Sequence, residues 1–248
     1  MLDLSIATYN IHKGFSQFNR RFVLHELRQR LHELNTDIVF LQEVLGATSH
    51  SALHGVTDRG LSQHEFLAHD KWPYHAYGKN SVYESGHHGN AILSRFPILN
   101  WGNQDISAHR FESRGVLHCE LELPQGDRLH CLCVHLGLFK RGRNLQFGAL
   151  VELIRKGIPI DAPLILAGDF NDWNNHAQHS LANELDLHEV FESASGSLAR
   201  SFPVSFPMLR LDRIYVRRLS VKNSAVHAQY PWNKISDHAA LSANLSLP

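Results

Sequence analysis

The chain has 248 residues, 43% hydrophobic and 19% charged, and its 24 Lys plus Arg equal its 24 Asp plus Glu. A chain of this size buries about three quarters of its unfolded surface, so a full core is available. The balanced charge excludes an overall basic field for nucleic acid, though a local patch can still hold phosphates, and no run approaches the roughly 20 apolar residues of a membrane helix.

The opening MLDLSIATYNIHKG lacks the basic, apolar and cleavage regions of a signal peptide. It reads as a strand over 2–11 and points to a cytoplasmic protein. RRFVLHELRQRLHEL sets Val23, Leu24, Leu27, Leu31 and Leu34 on one helical face. DIVFLQEV (37–44) is a buried strand, and 46–88 is polar and rich in Gly and His, with a short helix around 61–69. GNAILS (89–94) and FPIL (96–99) are strand pieces broken at Arg95-Phe96-Pro97. GVLHCELEL (115–123) and RLHCLCVHL (128–136) flank the turn PQGD and predict a hairpin. NLQFGALVELIRKG (144–157) is an amphipathic helix ending at Gly. LILAGDF is the next strand, and 175–187 reads as helix. LDRIYVRR (211–218), LSVKNSAV (219–226) and AALSANLSL (239–247) are short closing strands. Cys119, Cys131 and Cys133 lie on apolar strands, an odd and sparse set that predicts reduced, buried thiols. Hairpins mixed with strand–helix–strand units predict one α/β domain over 1–248, two mixed sheets with helices outside.

Along this order one event recurs: an apolar strand ends and a hydrogen-bonding or acidic residue stands at its tip. SIATYNIH delivers Asn10 and His12, IVFLQE delivers Glu43, CLCVHL delivers His135, and LILAGDFN delivers Asp169 and Asn171. KISDHAAL offers Asp237 and His238 before the final strand. Strand alternation puts Asn10 with His12, and Asp169 with Asn171, on shared faces. Each residue alone has a structural use as a turn former, helix cap or surface charge. Their coincidence at strand ends, where open α/β sheets bind ligands, favours a site. An oxygen-rich set without Cys suits a hard divalent cation rather than structural zinc. The chemistry such a metal serves there is phosphate ester cleavage.

In their order and spacing, TYNIH, LQEV, GNAILSRFP, VHL, GDFND, LDRIYV and SDH resemble the endonuclease/exonuclease/phosphatase superfamily, across residues 8 to 240. That superfamily includes pancreatic-type deoxyribonucleases, abasic-site endonucleases, bacterial sphingomyelinases and inositol polyphosphate phosphatases. The resemblance, to its small bacterial members, implies an α/β (α+β) four-layer sandwich, two mixed sheets face to face with helices on both outer sides. It implies Glu43 as the principal Mg²⁺ ligand, with Mn²⁺ as a substitute, helped by Asn10 and with Asp237 as the remaining acid. Asp169 and Asn171 would orient the attacking water and hold the phosphate. His238 would face the phosphate, with Asp212 as its carboxylate partner raising its pKa. His135 fills a position that is His in deoxyribonucleases and sphingomyelinases and Tyr in abasic-site enzymes, and Arg114 resembles a phosphate-contacting Arg. Whether His238 or Asp169 is the base stays open.

Glu43 is followed by Val44-Leu45 where abasic-site enzymes carry Thr-Lys, which with His135 counts against that branch. Lys140, Arg141 and Arg143 read equally as a phosphate-binding rim and as the solvated start of a basic helix. GHHGN (86–90), with His88 and Asn90, is a substrate loop or a Gly-bounded turn. His12 and Lys13 sit beside Asn10 and are expected to touch metal-bound water or phosphate. Trp173 is a candidate for stacking on a base. Phe202, Phe206 and Met208 form a lipid-contacting loop or an edge strand interrupted by Pro. The sequence thus predicts a monomeric Mg²⁺-dependent phosphoesterase with no stable protein partner. Its phosphodiester substrate is DNA ahead of lipid head groups or small phosphate esters. A non-catalytic module on the same fold is disfavoured by the intact polar set.

Overall fold

The computed structural model describes residues 2–46, 61–83, 86–175, 181 and 183–247. One six-stranded sheet contains β1 (Leu2–Asn10), β2 (Ile38–Leu45), β3 (Tyr74–Tyr83), β4 (Gly86–Ser94), β11 (Ser220–His227) and β12 (Ala240–Leu247), in the order β11-β12-β1-β2-β4-β3. The other, also six-stranded, contains β5 (Ile98–Asp105), β6 (Gly115–Glu122), β7 (Arg128–His135), β8 (Leu164–Asp169), β9 (His188–Glu189) and β10 (Asp212–Arg217), in the order β5-β6-β7-β8-β10-β9. Helices among the described residues include α1 (Leu24–Leu34), α2 (Gln63–Ala68), α3 (Lys140–Gly157) and α4 (Val190–Ser195).

β1 with β2 and β7 with β8 are parallel pairs, and α1 and α3 are their crossovers. Ile6, Phe40, Ile92, Cys131, Ile165, Ile214 and Leu245 pack sheet against sheet. Val39 and Leu41, one step along β2, face outward onto Leu27 and Leu31 of α1. Leu132, Val134 and Leu166 meet Phe147, Leu150 and Ile154 of α3. Strands covered on both faces are therefore continuous apolar runs, and the layers are helix, sheet, sheet, helix, as the resemblance implied. Cys119, Cys131 and Cys133 are free and buried in the inter-sheet core.

The edges differ from expectation. β3 runs through the stretch read as polar and irregular, β4 begins at Gly86 rather than 89, and β5 extends to Asp105. α3 starts at Lys140, ahead of the expected 144. Of the helix expected over 175–187, residues 183–185 are helical, while 176–180 and 182 lie outside the described residues. Among the described residues no helix is long and apolar enough to cross a membrane.

Candidate active site

Strand register builds the site. β7 and β8 place His135 opposite Asp169, and β8 and β10 place Asp169 opposite Asp212. An imidazole and two carboxylates thus form one row along the end of the second sheet. Gly168 lets β8 approach this closely: its φ is +147°, and a Cβ there would lie 2.0 Å from the Val134 carbonyl oxygen. On the first sheet, β1 ends at Asn10 beside Gln42. The ladder between β2 and β4 then slips between Leu41 and Val44, and Glu43 takes a left-handed φ of 55°. Such a bulge re-aims a side chain at a strand end, and Glu43 here meets Asn10 Nδ2 through Oε1 at 3.4 Å.

Asp169 is the hub, and it is buried. Its Oδ2 accepts from Asn10 Nδ2 at 3.1 Å and lies 3.5 Å from His135 Nε2 and 3.8 Å from His238 Nε2. Its Oδ1 accepts the Asn171 backbone N–H at 2.9 Å. Asn171 holds φ at 50° and donates its side-chain amide to the Leu136 carbonyl at 2.9 Å. The Asp169–Asn171 pairing therefore arises from a turn rather than from strand alternation. The same is true of His12, whose φ is 46° and whose N–H donates to Asn10 Oδ1 at 3.1 Å.

His238 and Asp212 share a 2.8 Å hydrogen bond at His238 Nδ1. Burial alone would lower His238. The Asp212 charge and hydrogen bond, joined by Asp169 and Asp237, outweigh it and push the imidazole up to about 10. Burial raises Asp169 against the pull of His238. His135 moves the other way, well below its ordinary value, because burial and the charges of Arg114, His238, His88 and Lys13 all oppose its protonation. Of the two imidazoles flanking Asp169, His238 is thus favoured as the cation and His135 as the neutral ring. Phe202 lies over His238 with ring centroids 4.8 Å apart, while Phe206 and Met208 are exposed.

Asp237 Oδ1 lies 3.4 Å from His12 Nδ1. Ser236, which sequence reasoning missed, donates to the Asn10 carbonyl at 2.8 Å and accepts the His238 N–H at 3.3 Å. It locks the loop before β12 onto the end of β1. Gln42, also missed, is fully buried and donates to Thr8 Oγ1 and Cys133 Sγ, both at 3.2 Å, beneath Glu43. Its one sequence signal is an amide inside an apolar run.

Other expectations are redirected. Asn90 spends its amide protons on the carbonyls of Gly115 and Cys133, at 3.1 and 3.2 Å, so it ties strands together instead of offering donors to phosphate. Arg143 is buried and donates to the Gly137 and Leu138 carbonyls at 3.1 and 2.8 Å, fixing the loop after β7. It is not a rim residue, and its guanidinium lies 5.1 Å over Trp173, occupying a face offered for base stacking. Arg141 is exposed in the first turn of α3, outside the His135–Asp169–Asp212 row. Arg114 is half-buried, 4.0 Å from Glu112, and close enough to His135 for its charge to act there.

The donor set fits a divalent cation. Asp169, Asp212 and His238 offer ligand atoms within 4.8 Å of one another. His238 Nδ1 in this group is hydrogen-bonded to Asp212, while Glu43 adjoins Asn10 and Asp237 adjoins His12.

Comparison with known proteins agrees with this geometry. The family described as Endonuclease/Exonuclease/phosphatase family matches residues 7–238. The uncharacterized protein YbhP of Escherichia coli (strain K12) is 47% identical over 246 residues, 99% of this chain and 97% of that protein. The D. rerio TDP2 structure complexed with single strand DNA product superposes with a TM-score of 0.73 at 20% identity, over 98% of this chain and 99% of that one. The mannosyl-6-phosphatase Bt3783 of Bacteroides thetaiotaomicron superposes with a TM-score of 0.73 at 19% identity, over 98% of this chain and 100% of its own.

Proposed function

We propose that this chain, which belongs to the endonuclease/exonuclease/phosphatase family and is a phosphate-ester hydrolase, is a Mg²⁺-dependent phosphodiesterase that cleaves DNA by in-line attack of water. The observation that carries the reading is the chain of contacts from Asp212 through His238 to Asp169 and on to Asn10 and Glu43. It supports a reading in which His238 serves as a cation, Asp169 as a proton acceptor and Glu43 as a metal ligand.

A divalent cation held by Glu43, Asn10 and Asp237 would supply polarisation of a phosphoryl oxygen. The protein supplies the rest. Asp169, raised by burial toward the working pH, takes the proton of the attacking water on Oδ2. His238, kept cationic by Asp212, faces the negative charge that builds on the phosphoryl oxygens. His135, neutral beside Asp169, gives hydrogen bonding without a second positive charge that would compete with the metal. Arg114 and Lys13, whose charges reach His135, and His12, beside Asp237, are the further donors we assign to substrate phosphate. Positioning and charge stabilisation of this kind are the main demands of phosphoryl transfer.

The DNA reading is supported by the shared fold of the D. rerio protein, bound to a DNA product strand. The free, buried thiols support a cytoplasmic location. Hydrolysis of single-stranded, duplex and abasic-site DNA with Mg²⁺ or Mn²⁺ tests the proposal, with His238→Ala as the contamination control. Metal-dependent cleavage that falls about 10³-fold in the variant is expected. Phosphate release from sugar phosphates without DNA cleavage would instead favour the small-ester activity named for the Bacteroides protein.

A further inference from the structure

The segment after β1 and the turn before Asp237 enclose a basic cavity of about 270 Å³. Ser16, Phe18, Arg20 and Arg21 line it from the segment after β1, and Asn233 and Lys234 from the short turn before Asp237. The contact between His12 and Asp237 at 3.4 Å joins the inner ends of these two segments. Three cations thus converge with no carboxylate in the lining. Arg21 has an exposed ion pair with Glu26 at 3.2 Å, a contact that water screens. The Asn233 Oδ1 is buried without a hydrogen-bond partner. Phe18 is 72% exposed, with the Arg20 guanidinium 5.2 Å over its ring. The segment holds His12, Lys13 and Phe18 at φ values of 46°, 58° and 63°. Left-handed backbone at non-glycine residues costs stability and concentrates where a particular shape is used.

We infer that this cavity binds the phosphate next to the scissile one in a single-stranded oligonucleotide. Arg20, Arg21 and Lys234 hold that phosphate, and Phe18, 72% exposed, stacks on its base with the ring face that Arg20 does not cover. Paired cations and aromatic planes are what a strand with alternating phosphates and bases requires. The motif repeats on the loop between β5 and β6, where Arg110 lies 4.5 Å over Phe111, itself 81% exposed. Three cations around a single aromatic ring, with no other apolar side chain in the lining, fit a nucleotide better than a lipid surface, which would take several apolar tips. The inference rests on the phosphodiesterase reading and deepens it.

The test pairs two readouts on the full chain. Anisotropy of a labelled oligothymidylate reports the cavity, and Mg²⁺-dependent hydrolysis of bis(p-nitrophenyl) phosphate, which has no neighbouring phosphate, reports the catalytic centre. Arg20→Ala combined with Lys234→Ala is expected to weaken oligonucleotide binding at least about tenfold and to flatten the log–log salt slope by up to about 0.7, for the one phosphate no longer neutralised. Phe18→Ala is expected to weaken binding about fivefold or more. Diester turnover should stay within about twofold of wild type in both, since none of the three residues touches the catalytic groups. Unchanged oligonucleotide affinity in the variants would overturn the inference. So would a wild type that binds phosphatidylglycerol vesicles and no oligonucleotide. A wild type that binds the oligonucleotide through these residues but hydrolyses no diester would sink the catalytic proposal and leave the subsite standing.

Discussion

Asn10 and Asp169 belong to different sheets, and the 3.1 Å hydrogen bond from Asn10 Nδ2 to Asp169 Oδ2 fastens the two rows of strand ends to each other. Both side chains are buried. Replacing the amide would leave a buried carboxylate short of a donor, a loss of about 1–3 kcal/mol. Asn10→Ala is expected to lower the urea midpoint accordingly and to cut turnover more than about tenfold. An unchanged midpoint would show that the bridge carries no weight in folding.

Asp212→Asn addresses the imidazole. The Asp212 pair raises His238 from 6.5 to about 10. Its stabilising contribution is therefore complete below about pH 6.5 and is lost as pH rises through about 10. In the variant the charge that outweighs burial is weakened, so His238 should lose its proton at lower pH and the window should shrink. Side-chain nitrogen NMR reads this directly: the wild-type ring stays protonated at pH 8.5, and the variant ring titrates below that. Identical titrations would remove Asp212 as the source of the shift.

Glu189 gives a second pH effect, of opposite chemistry and away from the catalytic row. Its Oε2 caps α4 by accepting the Glu192 N–H at 2.7 Å, while burial pushes the carboxyl up to about 7. The folded state then holds a proton that the unfolded chain releases near 4.5. This contribution is greatest below about pH 4.5 and declines as pH rises through 7, by up to about 3 kcal/mol. The stability difference between wild type and Glu189→Gln should therefore shift steadily against the wild type between pH 4.5 and 7.5. A difference independent of pH would refute the assignment.

Gly168→Ala is expected to destabilise the fold by about 2–4 kcal/mol, because the new methyl would meet backbone on β7 that has no rotamer to yield. Chemical denaturation measures it. Because Asp169 follows directly, any folded fraction should also lose activity through displacement of that carboxylate.

What could be read in advance follows from burial. β1, β2, β7 and β8 are covered on both faces, so their apolar runs stand out, and a polar residue closing such a run is conspicuous. Hence Asn10, Glu43, His135 and Asp169 were legible as strand-end residues. β3 (YHAYGKNSVY) and β5 (ILNWGNQD) are edge strands with much of their length exposed, and they leave no comparable pattern. Ser236 was hidden because its role depends on how the last loop passes β1, a contact between residues 226 apart. Arg143 was misplaced because a charge run looks solvated, whereas the Gly137 and Leu138 carbonyls require a buried donor there.

The three thiols of the inter-sheet core have a practical consequence. Burial raises the pKa of Cys119, Cys131 and Cys133 alike, so no reactive thiolate is presented while the sheets remain together. Alkylating reagents then gain access only through openings large enough to part the two sheets. The molecule thereby contains an internal clock for its own unfolding, readable by mass without any added label in the native state.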